Sequence, residues 1–167
     1  VVLDERVRRL PEALQARGYE TAGIVSHLYV GSKYNYHQGF AFWDESQAQG
    51  HTHVSSREVT DRAIEFLRRI EARITALDNG LVPLDGDVTR LDNSHTKKEG
   101  VSRTYKGEDG YAPMAGYLGQ EGYCLGLELR PGSQHCQKGT PEFLQRVLGR
   151  ARQLTAAPLL LRLESVY

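Results

Sequence analysis

The tripeptide Asp78-Asn79-Gly80 constrains this chain more than any other feature. It is a strong turn signal, and the hydrophobic pattern changes character across it. Before it, helical periodicity gives way to a long polar and aromatic stretch. After it, the order is strand, strand, strand, helix, strand. With 167 residues, the chain can hold one ordinary domain or two cramped ones. We therefore read it as two partial units joined near residue 75: residues 1–72, a junction at 73–80, and residues 81–167. The expected fold class is α/β throughout.

In the first unit, Leu3, Val7, Leu10 and Leu14 recur at helical spacing. Pro11 is comfortable only in a first turn, so the helix is expected from about Pro11 to Arg17, ended by Gly18 in a left-handed cap. Thr21–Ser26 (TAGIVS) has the short, apolar, partly β-branched composition of a buried strand. Residues 27–54 read as loop, with Tyr34, Tyr36, Phe40 and Trp43 packing it onto its sheet. Ser55-x-x-Glu58 is a capping box ahead of an apolar face made by Val59, Ala63, Phe66, Leu67 and Ile70. A helix from about Ser56 to Ala72 follows.

In the second unit, Leu81–Thr89 is the first strand candidate and Val101–Lys106 the second. Glu108-Asp109-Gly110 supplies a turn. Ala112–Leu118 and Tyr123–Arg130 form a hairpin across Gly119-Gln120-Glu121-Gly122. Thr140 suits an N-cap with Pro141 at the first helical position, followed by a stripe of Phe143, Leu144, Val147, Leu148, Ala151 and Leu154. Pro158–Leu163 (PLLLRL) is nearly continuous in apolar residues, the mark of a central strand buried on both faces.

Bulk properties narrow the function classes. Lys plus Arg and Asp plus Glu both number 21, giving zero net charge, with 10 of each before residue 75 and 11 of each after it. No global field draws such a chain to DNA or an anionic membrane, so any nucleic-acid contact must be local. No run of apolar residues is long enough to span a membrane. The opening VVLDERVRR lacks a secretory signal's apolar core, and its missing initiator Met suggests a start further upstream. Cys124 and Cys136 are too few for a disulfide framework or a zinc site. A reducing, cytoplasmic location is expected. The oligomeric state is not legible.

The chemistry gathers in Leu84-Asp85-Gly86-Asp87-Val88-Thr89, followed by Asp92-Asn93. Asp85 and Asp87, two apart on a regular strand, point to one face. Paired carboxylates repel unless a cation lies between them, and hard Mg²⁺ favours such oxygens. An exposed turn rich in Asp is the plainer alternative. Glu164 adds weight, because a carboxylate directly after an apolar strand is costly unless paired or metal-bound. Strand acids brought together in a βββαβ layout are how RNase H-like nucleases hold two ions around a phosphodiester.

These residues carry a resemblance. The acidic strand, Asp92-Asn93-Ser94, the run Thr96–Gly107 (TKKEGVSRTYKG), Asp109-Gly110-Tyr111-Ala112-Pro113 and Glu128–His135 (ELRPGSQH) are similar to a bacterial insertion-sequence transposase with a DDE catalytic core. The similarity runs from about Gly80 to Leu163. It implies a truncated RNase H-like fold, Mg²⁺ dependence, and strand transfer at transposon DNA ends. The family's first catalytic Asp corresponds to Asp85 or Asp87. Its second acid falls in an Arg-Leu-Asp-Ser-Gly pattern, where this chain reads Arg162-Leu163-Glu164-Ser165-Val166. Glu in place of Asp moves a ligand by about 1 Å, a displacement that can cost ~10²-fold. The family's third acid, a Glu, has no counterpart in this sequence.

Lys97, Lys98, Arg103 and Lys106 surround a single Glu99 and suit phosphate contacts, with a solvated loop as the alternative. His135 and Cys136 are neighbours, so they face opposite sides of any strand and do not suggest a catalytic dyad.

The first unit carries a second resemblance. Leu10–Leu14, Gly18–Ser26, Gln38-Gly39-Phe40 with Trp43-Asp44, and Val59–Leu67 resemble an internal piece of the sulfatase family, across about residues 8–70. This implies a partial alkaline-phosphatase-like α/β fragment. The family's C/S-x-P/A-x-R motif is absent, so no sulfatase-like active site is expected. His27 and Lys33 are sulfate-contact candidates in a complete enzyme, with a plain loop favoured. His51-x-His53 has metal-ligand spacing but lacks a third ligand.

The expectation is a chimeric, truncated chain: a transposase fragment fused to a sulfatase remnant, inactive because both catalytic sets are incomplete. The alternatives are a sulfatase-family hydrolase completed by a partner chain, a DNA-binding module without catalysis, and a folded product without function.

Overall fold

The computed structural model describes residues 2–48 and 56–163. The chain divides into two compact units, Val1–Leu67 and Arg68–Tyr167, each of mixed α/β character.

The first unit is organised around two three-residue strands. β1 (Ala22–Ile24) pairs in parallel with β2 (Phe42–Asp44), placing Gly23 opposite Trp43. The glycine is required by its neighbour: a Cβ there would lie 2.4 Å from Trp43 Cζ3. The sequence pattern misses β2, because three residues are too few to display alternation. A parallel pair needs a long crossover, and residues 25–41 provide it through two short 3₁₀ turns, Leu28–Val30 and Ser32–Tyr34. Aromatic contacts pack this loop, with Phe40 5.4 Å and His37 6.3 Å from the Trp43 ring. Buried Thr21 ties its end down, donating to Gly39 O at 3.1 Å and accepting from Ala41 N at 3.0 Å.

Helix α1 (Leu10–Gln15) begins one residue before the expected Pro11 and ends two before the expected Arg17, with Leu3 and Val7 outside it as Pro11 requires. Gly18 has the expected positive φ, +83°. Helix α2 spans Ser56–Arg69, so it stops short of Ala72. Its most buried residue is Ile64, at 2% exposure. Phe66 stacks 5.3 Å from Phe42, and Arg62 pairs with Asp44 at 3.4 Å. Ser55 of the expected capping box lies outside the described residues.

The second unit contains a four-stranded sheet in the order β8-β7-β3-β9, made by β3 (Val82–Val88), β7 (Met114–Leu118), β8 (Tyr123–Glu128) and β9 (Leu159–Leu163). β3–β7 and β7–β8 are antiparallel, and β3–β9 is parallel. Helix α3 (Thr140–Leu154) connects β8 to β9. Cross-strand partners Gly116 and Gly126 leave a trough into which α3 settles, since a Cβ at either would lie 2.9 or 3.0 Å from Val147 methyls. Phe143, Val147 and Ala151 are the residues α3 buries.

The structure corrects three expectations. Val101–Lys106 does not supply the second strand of this sheet. Its strand, β5 (Ser102–Arg103), joins β4 (Leu91–Asp92) and β6 (Asp109–Tyr111) in a separate small sheet of order β4-β6-β5. The local turn consequently lies at Thr104–Gly107, with Thr104 N donating to Glu108 O at 2.7 Å, while Asp109 and Gly110 are strand residues. Only glycine fits at 110, because a Cβ would lie 2.0 Å from Leu91 O.

β9 is the second correction. It lies at the edge of the described sheet rather than its centre, and Leu161 and Leu163 are 40% and 46% exposed. The third concerns Thr140, which is the first helical residue rather than the N-cap. Gly139, with φ +74°, takes the cap position, and the Thr140 hydroxyl instead donates to Cys136 O.

The turn at Asp78–Gly80 forms as expected, with Gly80 N donating to Leu77 O at 2.8 Å. The residues just before it pack on the β7–β8 hairpin. Glu121 accepts from Thr75 N at 3.0 Å, and Gln120 Nε2 donates to Ala76 O at 2.5 Å. No helix among the described residues is long and apolar enough to cross a membrane.

Candidate functional site

Strand β3 projects Asp85 and Asp87 to one face of the sheet, while Gly86 between them faces Leu144 of α3. The two carboxylates have different surroundings. Parallel pairing sets Asp85 opposite Arg162 of β9. The guanidinium forms a fork on the carboxylate, with Nε–Oδ1 at 2.5 Å and Nη2–Oδ2 at 2.6 Å. This bond raises the Arg162 pKa above its usual value, since the bound carboxylate favours the charged form.

Asp87 receives one hydrogen bond, from Thr89 Oγ1 at 2.7 Å, and among the described residues no ion pair involves it. Opposite it on β7 stands Ala115, which offers no charge. The pair is therefore split into an acid with a cationic partner and an acid without one. Asp92, the next acid, accepts from Ser94 through both its hydroxyl and its N–H, which lowers its pKa.

Glu164 lies outside the described residues. Among the described residues, no group of three or more His, Cys, Asp or Glu is arranged to hold a metal ion. Asp85 is engaged by Arg162, so Asp87 is the one member of the expected ligand set that the described residues present without an ion pair.

The basic residues lie on the small sheet and its loops. Lys97 and Lys98 lie in the β4–β5 connection, Arg103 on β5, and Lys106 in the β5–β6 turn, and all four are exposed. The neighbouring acids are partly committed: Glu108 pairs with Arg90, and Asp109 lies 3.6 Å from Arg103. Lys106 Nζ sits 5.6 Å from the Tyr105 ring centroid. Among the described residues, no ion pair involves Lys97, Lys98 or Lys106.

A cavity of about 260 Å³ opens between this small sheet and the turn after β8. Its lining includes Arg103, Tyr105, Val88 and residues 132–136. His135 and Cys136 are both at this cavity, with His135 Nδ1 accepting from Gln137 N at 3.3 Å. Both cysteines are free thiols.

Sequence reasoning missed two arginines. Arg162 could have been found, because a lone cation in an apolar run needs a partner. Arg130 is 2% exposed. It pairs with Glu128 at 2.8 Å, donates to Thr140 Oγ1 at 3.0 Å and to Cys136 O at 3.3 Å, and lies 5.8 Å from the Phe143 ring. It fastens the turn after β8 to the start of α3.

In the first unit, His27 Nδ1 accepts from Tyr29 N at 3.2 Å, capping a 3₁₀ turn. Lys33 lies 5.9 Å from the Tyr34 ring centroid and lines a cavity of about 270 Å³ with Tyr29 and Glu45. Glu45 accepts from Ser32 Oγ and Ser32 N, both at 2.6 Å, and from Trp43 Nε1 at 3.0 Å. These bonds, led by the Ser32 hydroxyl, hold its pKa down at about 2. His51 and His53 lie outside the described residues.

No protein-family model, curated protein or solved structure matches this chain.

Proposed function

We propose that the second unit is a DDE-transposase-like, RNase H-like fragment that engages DNA without completing the cleavage reaction. The observation that carries this reading is the sheet itself. Its first strand is central, flanked by the second and fourth, and that strand holds an acid, Asp87, with no cationic partner among the described residues. In this reading Asp87 is the counterpart of the family's first catalytic acid. Asp85 is structural, because Arg162 already neutralises it.

The substrate class is DNA, contacted through its phosphates by Lys97, Lys98, Arg103 and Lys106. Mg²⁺ is the metal the resemblance implies, and Asp87 with Glu164 would be the residues to ligate it. Two-metal phosphodiester chemistry needs several such groups around one site, which is why turnover is not expected. Incubation of supercoiled plasmid with the chain and Mg²⁺ tests this. The plasmid is expected to stay uncut. Cleavage that disappears in Asp87→Asn would instead establish a complete catalytic set.

For the first unit we propose a sulfatase-like fragment. Its support is the parallel β1–β2 pair with its long aromatic crossover, an α/β arrangement in keeping with the motifs at residues 18–26 and 38–44. A hydrolytic role would require a nucleophile from another chain, and an aryl-sulfate assay of this chain alone is expected to show no turnover.

A further inference from the structure

The cavity beside the small sheet is separate from the carboxylate face of β3, since Val88 lines it and alternation turns Val88 away from Asp87. We propose that this cavity binds one nucleotide unit, with the base stacked on Tyr105 and the phosphate on Arg103. The inference rests on the second unit being a nucleic-acid-binding one.

Small-molecule clefts run to about 300–1,000 Å³, so a cavity of about 260 Å³ suits a single base better than a larger ligand. The lining chemistry is that of a heteroaromatic ring. Val88 and Ala112 contribute apolar surface and Tyr105 an aromatic ring. Lys106 lies 5.6 Å from that ring's centroid, so it brings a second positive charge to the stacking residue.

Polar groups for a base edge are also present. Gln134 Nε2 donates to Lys138 O at 2.9 Å, which leaves its carbonyl oxygen as an acceptor. Ser133 adds a hydroxyl that can donate or accept. Thr104, also in the lining, is 4% exposed, and its hydroxyl has no hydrogen-bond partner among the described residues.

The cavity is built in advance, which lowers the cost of ordering it around a ligand. Gly132 lies so close to the small sheet that a Cβ would be 2.2 Å from Ser102 O and 2.5 Å from Gly110 O. Ser133 N donates to Ser102 Oγ at 2.9 Å. Pro131 bridges to Tyr111, and buried Arg130 holds Cys136 O from the other side.

The test uses the full chain in EDTA, so that binding is read without cleavage. A single-stranded oligonucleotide carrying one 2-aminopurine, the same sequence as a duplex, and the free deoxynucleotide 5′-monophosphate are titrated separately. Saturable fluorescence quenching of the oligonucleotide is expected, and it assigns the cavity to an unpaired base in a strand. Equal affinity for the mononucleotide would support the same chemistry and assign it to a free nucleotide. Tyr105→Ala should weaken binding by about 5- to 150-fold, as loss of one base–aromatic stack does. Ser133→Leu, which fills the opening from an exposed position without adding a stacking ring, should also weaken quenching, and circular dichroism confirms that both variants fold. Quenching and affinity unchanged in both variants would overturn the proposal even where the duplex still binds through the lysines. Loss of all binding in the unaltered chain would overturn the nucleic-acid reading as well.

Discussion

Arg162 on β9 holds both carboxylate oxygens of Asp85 on β3, across a parallel pairing that brings together residues 77 apart in sequence. This bond separates two acids that look equivalent in the sequence. It ties Asp85 of the central strand to β9 and leaves Asp87 without an ion pair among the described residues. It also gives the parallel β3–β9 pair a charged register marker, because sliding β9 by one residue would set Leu161 or Leu163 opposite Asp85.

Asp85→Asn should therefore lower the thermal melting temperature, while Asp87→Asn should not. The pair is partly exposed, so the drop should be small beside that of a core truncation. A double-mutant cycle with Arg162→Gln provides the check. The double variant should melt close to either single variant, whereas additive losses would show that the two side chains act independently.

The trough formed by Gly116 and Gly126 makes α3 sensitive to added volume. Gly116→Val puts a branched side chain where a Cβ alone would lie 2.9 Å from Val147 Cγ1. Overpacking of this kind costs about 1–3 kcal/mol. Phe143, 2% exposed, should cost about 3–5 kcal/mol when replaced by Ala. Urea unfolding followed by circular dichroism measures both.

Glu45 makes the first unit acid-sensitive. Its pKa falls from 4.5 to about 2 because the folded chain supplies hydrogen bonds to the ionised form. A depressed folded pKa adds stability that is complete above the unfolded value and is lost as pH falls through the folded one. The Ser32–Glu45–Trp43 clamp should therefore weaken as pH drops from 4.5 towards about 2. Fluorescence of Trp43, the chain's single tryptophan, reports it. Glu45→Gln should flatten that response without removing it, because the Asp44 pKa is lowered as well, chiefly by Ser46.

The features legible in the sequence were those set by local pattern. β3, the β7–β8 hairpin with its Gly119–Gly122 turn, and α3 each carry their own periodicity or turn residues, and they form where expected. β2, β4 and β6 have two or three residues each, so alternation cannot reveal them; β5 falls within the expected strand at Val101–Lys106, but its place in a separate sheet is set by non-local pairing. The apolar run in β9 suggested a central strand, but burial depends on neighbours, and its described sheet supplies one only on the β3 side. The acidic pair was legible as Asp85 and Asp87. That Asp85 alone of the two has a cationic partner among the described residues was not, because it depends on Arg162.

The basic cluster offers a quantitative signature. Each lysine or arginine that neutralises a duplex phosphate contributes about 0.9 to the slope of log affinity against log salt. Replacing Lys97, Lys98, Arg103 and Lys106 with Ala should reduce the slope by that amount for every phosphate no longer neutralised.

The most direct test of DNA engagement by the second unit is a fluorescence-anisotropy titration of labelled duplex DNA with the full chain, between about 50 and 200 mM salt. Binding should be saturable, weaken steeply with salt, be impaired in the four-alanine variant, and be retained by Asp87→Asn. Absence of binding at the lowest salt, or affinity that ignores both salt and the four substitutions, would rule out DNA engagement through this basic cluster.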